Sequence, residues 1–337
     1  MGFASSAFRF SGLIVTLVRL LVPCVLAFLS AALLTPRTAA GQGAPTACAA
    51  RLQPSWSPDA PVPGTLFTIR VRGVEPGATP QGRIGSEPLH FSPDSSGEWR
   101  TLAPVPIDES RSLAVILTCA GAPADSALHD IPLASATYAL ERLTVAPRFS
   151  GKPDSALAAR QRREAQRAAA VSARAHETPR LWTTPFSAPR TSRITSTFGS
   201  GRQFNGTVTS RHMGTDYAGA VGAPIRAANR GVVRLVDRFF LGGNVVYIDH
   251  GEGLVTAYLH LSKHRVAEGD TVQRGQVVGE VGATGRVTGP HLHWIARYGA
   301  VTVDPQSLLR ATAAPIAVPA PATQTGDLRD SPAANLW

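Results

Sequence analysis

Hydrophobic and polar positions change their period several times along this chain, and the changes divide it. From about Cys48 to Arg148, short apolar runs alternate with turn residues. After the Pro63-Gly64 turn, TLFTIRV places Phe67, Ile69 and Val71 on one face and Thr68, Arg70 and Arg72 on the other, the period of two that marks a half-buried strand. RIGSEPLHF, SLAVILTC and ATYALERLTV repeat the theme, with SPDSSG and APAD between them. The pattern predicts a small β-sandwich, immunoglobulin-like, over residues 41–150.

The alternation stops at residue 152. KPDSALAARQRREAQRAAAVSARAHE is built of Ala and Arg with few β-branched residues, and its Pro-Asp-Ser opening is a helix start. It predicts a basic connecting helix within residues 151–180, with His176 at its frayed, solvent-exposed end. No heptad is sustained, so a coiled coil is not expected. From Thr191 strand patterns return with a glycine at nearly every turn: RITSTFG, GVVRLV, NVVYIDHG, LVTAYLHLS, QVVGEVG and HLHWIARY. Strands with no helices between them predict an antiparallel β-sheet domain over residues 181–310. Overall the chain is expected to be mainly β. Residues 311–337, rich in Ala and Pro, read as a disordered tail.

The first forty residues follow another logic. Arg9 and Arg19 precede an apolar stretch from Leu20 to Leu34, and small residues follow at Ala39 and Ala40. That is the layout of a secretory signal cleaved near Ala40, and the stretch is short for a membrane span of ~20 residues. Export places the mature chain in the periplasm or outside the cell, with no stable membrane span after processing. In an oxidising compartment Cys48 and Cys119 can close a disulfide.

Charge sharpens this only in part. The chain carries 33 basic and 23 acidic side chains, a net +10, and only Lys152 and Lys263 are lysines. Removing the arginines of the first forty residues leaves about +7, carried by the helix and the second half. Such a surface suits an anionic envelope polymer. Nucleic acid is not expected as a partner, because the Arg-rich helix has neither aromatic residues for stacking nor a recognition fold. Three cysteines exclude a four-thiolate zinc site, so any metal must be held by His and carboxylate.

Six of the nine histidines lie between residues 212 and 293. RHMGTD holds His212 and Asp216, AYLHLS holds His260, and GPHLHW holds His291 and His293. Two residues apart on a strand, His291 and His293 share a face. The spacing of four lets His212 and Asp216 converge across a Gly-containing loop. Zinc held by two histidines and one carboxylate, with a fourth position open, is the ligand set of a hydrolytic site. His90 and His129 stand apart in the sequence, and His250 and His264 are expected at turns.

These motifs, His-x-x-x-Asp, Tyr-x-His-Leu and Thr-Gly-Pro-His-Leu-His in that order, resemble the lysostaphin-type (LytM) zinc metallopeptidases that cut peptidoglycan peptide bridges. The resemblance covers about residues 180 to 310. It implies a zinc-dependent endopeptidase, expected as a monomer, in which His212, Asp216 and His293 bind Zn2+ while His260 and His291 act as catalytic histidines. It also implies that Asn205 can mask or frame the metal, since relatives use an asparagine for this in latent forms. Tyr217 and Tyr258 flank the motifs as groove-lining or core residues. The alternative function is a catalytically silent wall-binding scaffold that activates other hydrolases, which complete ligand and catalytic sets disfavour. Which peptide bond is cut stays open between glycine bridges and D-alanyl links.

Overall fold

The computed structural model describes residues 48–313 except 95, 121, 150 and 207. The proposed signal and nearly all of the proposed tail lie outside the described residues. Two four-stranded antiparallel sheets form the N-terminal half. One runs in the order Gln53–Ser57, Leu66–Arg72, Trp99–Pro104, Ser92–Pro93, and the other in the order Glu87–Leu89, Pro80–Ile84, Ser112–Cys119, Ala122–Pro132. Phe67, Ile69 and Val71 are buried as the alternation requires, and they share a core with Val115 and Leu117 of the second sheet. Cys48 and Cys119 are bonded to each other.

ATYALERLTV departs from the expectation that it would extend these sheets. Its strand, Leu140–Leu143, pairs in parallel with Gly201–Phe204, which pairs in turn with Val208–Arg211. A segment from before the helix thus becomes part of the second half.

The main sheet of that second half has eight strands. Seven lie in the order Ile194–Ser196, Thr215–Ala218, His291–Tyr298, Leu254–Leu261, Gly243–Gly251, Gly231–Phe239, Thr271–Val272, and Val301–Val303 also pairs with His291–Tyr298. Every pairing is antiparallel. Because central strands are covered on both faces, Leu254–Leu261 is buried along its whole length.

The helix runs from Ser155 to Arg174, with the Asp154 carboxylate accepting from the Leu157 N–H as its N-cap. It is more than a connection. Ala168, Val171 and Ala175 pack on Leu235, Phe239, Val245, Tyr247, Val255, Ala257 and Leu259, so the helix covers one face of the main sheet. Small side chains let its backbone approach closely, while Arg167 pairs with Asp237 at the rim.

His176 lies in a contact between the halves and not at an exposed end. Its Nε2 is 2.9 Å from Glu87 Oε2, its Nδ1 is 2.9 Å from His90 Nε2, and the two imidazoles stack. Further bonds cross the same boundary: Tyr298 Oη–H donates to Pro88 O at 2.8 Å, and the Leu66 N–H to Ser307 Oγ at 2.9 Å. Ser307 belongs to a short helix, Pro305–Ala311, capped by Asp304, which the strand pattern did not anticipate.

Candidate metal centre

His212 follows the strand Val208–Arg211, and Asp216 lies on Thr215–Ala218, whose neighbour His291–Tyr298 carries His293 directly opposite Asp216. The register therefore brings the carboxylate and the imidazole together, and the loop returns His212 to them. Gly214 is required within that loop: a Cβ there would lie 2.6 Å from His293 Cε1.

Three donor atoms converge. His212 Nε2 is 3.0 Å from Asp216 Oδ1 and 2.9 Å from His293 Nδ1, and His293 Nδ1 is 2.7 Å from the same oxygen. All three residues are buried, and one ligand atom from each lies within 4.8 Å of the others, so the group can hold a metal ion. The donor set, two imidazoles and a carboxylate, suits a divalent ion such as zinc with a position left for water. The Thr197 carbonyl, 2.8 Å from His212 Nδ1, can only accept, so Nδ1 carries the proton and Nε2 presents its lone pair to the centre.

Burial on its own would raise the Asp216 carboxyl, but its close contacts with the His212 and His293 imidazoles hold it well below the usual carboxylate range. For His293 burial dominates and lowers the imidazole to about 4, against the pull of Asp216. Both residues are thus in the ionisation state that a cation requires: carboxylate charged, imidazole neutral.

His260 and His291 stand beside this group. Their ring centroids are 5.0 Å apart, that of His260 is 5.8 Å from that of His293, and His291 Nε2 is 3.7 Å from Asp216 Oδ1. Each Nδ1–H donates to a carbonyl at 2.8 Å, Thr284 O for His260 and Gly289 O for His291. Each Nε2 is left free to exchange a proton.

His260 reaches this position through a β-bulge. Asn244 pairs with Leu261 and Val246 with Tyr258, so the strand carries an extra residue there, and His260 adopts φ +63. A left-handed non-glycine residue in a strand is strained. It is held by the His260 N–H bond to Gly242 O at 2.9 Å and by the bond to Thr284. Burial pushes the His260 imidazole well below its ordinary value, and the neighbouring His293 and His291 push it the same way.

Three residues named from the sequence lie elsewhere. The Asn205 amide accepts from Val145 N–H and donates to Val145 O, both at 2.9 Å, which ties it to the backbone and away from the histidines. Tyr217 is buried against Trp294 and accepts from Gln306, and Tyr258 is fully buried with its hydroxyl on Ala228 N–H and Thr256. Both are core residues. His250, expected at a turn, is buried within the strand Gly243–Gly251, bonded to Arg230 O and Thr256 Oγ1.

Sequence reasoning missed the groups that hold the ligands. Arg202 Nη2 donates to Asp216 Oδ2 at 2.6 Å and its Nε donates to Glu141 Oε2 at 3.0 Å. Ser196 Oγ donates to Glu141 Oε1 at 2.6 Å and lies 3.0 Å from His212 Nδ1. Glu141 is thereby linked to both His212 and Asp216. Its only sequence signal was a carboxylate inside a strand pattern.

An antiparallel sheet carrying a buried His-Asp-His cluster, with two further histidines beside it, is the layout of a metallopeptidase domain. Residues 210–305 match the model of Peptidase family M23. The peptidoglycan DD-endopeptidase ShyC of Vibrio cholerae is 44% identical over 97 residues, 29% of this chain and 22% of that protein. The DD-carboxypeptidase/endopeptidase Mpg of Neisseria meningitidis is 47% identical over 97 residues, with the same coverage. The chain thus spans about a fifth of the length of these curated relatives. The crystal structure of an M23 peptidase from Pseudomonas aeruginosa aligns with a TM-score of 0.59 at 27% identity, covering 74% of this chain and 96% of that one. That likeness reaches far beyond residues 210–305.

Proposed function

We propose that the chain is a zinc-dependent endopeptidase that hydrolyses peptide cross-links of peptidoglycan in the cell envelope. The observation that carries this reading is the convergence of His212, Asp216 and His293 beside two histidines whose Nε2 atoms are free. Bound zinc would lower the pKa of water and polarise the scissile carbonyl. His212, Asp216 and His293 would hold it. His260 and His291 orient the attacking water, accept its proton at Nε2, donate to the developing oxyanion and return a proton to the leaving amine. The names of the curated relatives favour the D-alanyl link over a glycine bridge.

An envelope location fits the Cys48–Cys119 bond and the basic surface. Among the described residues no helix is long and apolar enough to cross a membrane. The mature chain is proposed to act as a monomer, without nucleic acid.

Zinc content by atomic emission and mass spectrometry of muropeptides released from sacculi test the reading. His260→Ala and His291→Ala should each lower hydrolysis by about 10²- to 10⁴-fold while zinc stays bound. Full hydrolysis by His291→Ala would overturn the role given to that residue, and a zinc-free, inactive protein would favour the scaffold.

A further inference from the structure

We infer that the groove beside the metal ligands is a carboxylate-recognition subsite for the peptide substrate, with Arg286 as its main contact. This rests on the endopeptidase reading and names the chemistry that the substrate must present near the scissile bond. The groove has a volume of about 590 Å³, and Asp216 and His291 line it together with Glu141 and four arginines: Arg142, Arg193, Arg202 and Arg286.

The charges of this groove do not balance internally. Its two carboxylates, Asp216 and Glu141, are both bonded to the single side chain of Arg202. The guanidinium groups of Arg142, Arg193 and Arg286 have no hydrogen-bond or carboxylate partner among the described residues. By contrast, Arg180 is paired with Glu252 at 2.7 Å.

Arg286 is the one built for a ligand. Its guanidinium lies 4.0 Å from the centroid of the Phe204 ring, and Phe204 is itself buried with Val145 and Phe149. The Arg286 N–H donates to Leu241 O at 2.8 Å, which fixes the backbone at the base of the side chain. Stacking on an aromatic face orients the planar group and leaves its N–H edge available for a bidentate bond to a carboxylate. Arg286 is partly desolvated, and burial followed by the charge of Arg202 lowers its pKa. An unpaired cation in such a setting gains from a matching anion more than a fully hydrated one does. Arg142 and Arg193, both exposed, add to the positive field at the groove mouth.

The test uses the zinc-loaded full chain and two cross-linked stem-peptide dimers that differ only in whether the carboxyl group next to the scissile bond is free or amidated. Cleavage is followed by mass spectrometry and binding by calorimetry. The wild type should favour the free acid at least tenfold in kcat/KM, mostly through KM, and Arg286→Gln should bring the two probes level while zinc content stays unchanged. Arg286→Lys should recover part of the preference, since a point charge lacks the bidentate fork. Equal cleavage and equal binding of both probes by the wild type would overturn the inference, as would an equal loss on both probes in Arg286→Gln. Tighter binding of the free acid without cleavage of either probe would support the subsite and instead overturn the endopeptidase reading.

Discussion

Glu141 offers the sharpest test of how the metal ligands are held. It lies 69 residues before the start of the matched domain region, yet its carboxylate accepts from Ser196 Oγ at 2.6 Å and Arg202 Nε at 3.0 Å. Through these two residues it steadies His212 and Asp216. Glu141→Gln preserves the shape and removes the charge. Arg202 then has Asp216 as its sole carboxylate and draws on it more strongly, while Ser196 is held less firmly. The side chains of Arg202 and Glu141 are 16% and 23% exposed, so solvent screens the pair only partly. A hydrogen bond to a charged group contributes about 1.5–3 kcal/mol, and partial exposure reduces the expected loss of metal-free stability to ~1–2 kcal/mol. Loss of a group that orients a metal ligand weakens metal binding by roughly 10- to 100-fold, which corresponds to about 1.4–2.7 kcal/mol. Zinc affinity is measured by chelator competition and stability by urea denaturation, with the exposed Glu109→Gln as a control. A zinc affinity for Glu141→Gln within twofold of the wild type would refute the argument.

Three further outcomes follow from the same structure. Zinc at a thousand times its Kd should stabilise the protein by about 4 kcal/mol, so a chelator should lower Tm; an unchanged Tm would speak against a metal at His212, Asp216 and His293. Burial lowers His250 to about 4 from 6.5, so between those values the unfolded chain binds a proton that the folded chain does not, and stability falls as pH drops through that window. The slope from one such group reaches about 1.4 kcal/mol per pH unit; urea titrations should show a shallower slope for His250→Gln, and an identical slope would contradict this. The Cys48–Cys119 bond spans 71 residues, and replacing both with Ser should cost about 4 kcal/mol in the chain-entropy model, read as a lower urea midpoint; an unchanged midpoint would deny the bond a stabilising role.

Local periodicity carried the reading as far as each feature was local. His291 and His293 share a face because they are two apart on a strand, and the antiparallel register then sets Asp216 against His293. The helix was visible from its Ala and Arg content, but its docking was not. Ala168, Val171 and Ala175 form a thin apolar stripe that looks too weak to bury, and it suffices because the sheet opposite supplies Phe239, Tyr247 and Leu259. His260 shows a different limit. Strict alternation sets Leu259 and Leu261 opposite His260, yet all three are buried because the strand is covered on both faces, and a bulge with His260 at φ +63 interrupts the alternation. A bulge depends on the partner strand and leaves no period in the sequence. Glu141 and Arg202 lie 61 residues apart, on strands that pair in parallel, and only that pairing makes a ligand support of two otherwise ordinary charges. The groups that can bind the metal were therefore legible from motif spacing, whereas the groups that hold those ligands in place exist only once the chain has folded.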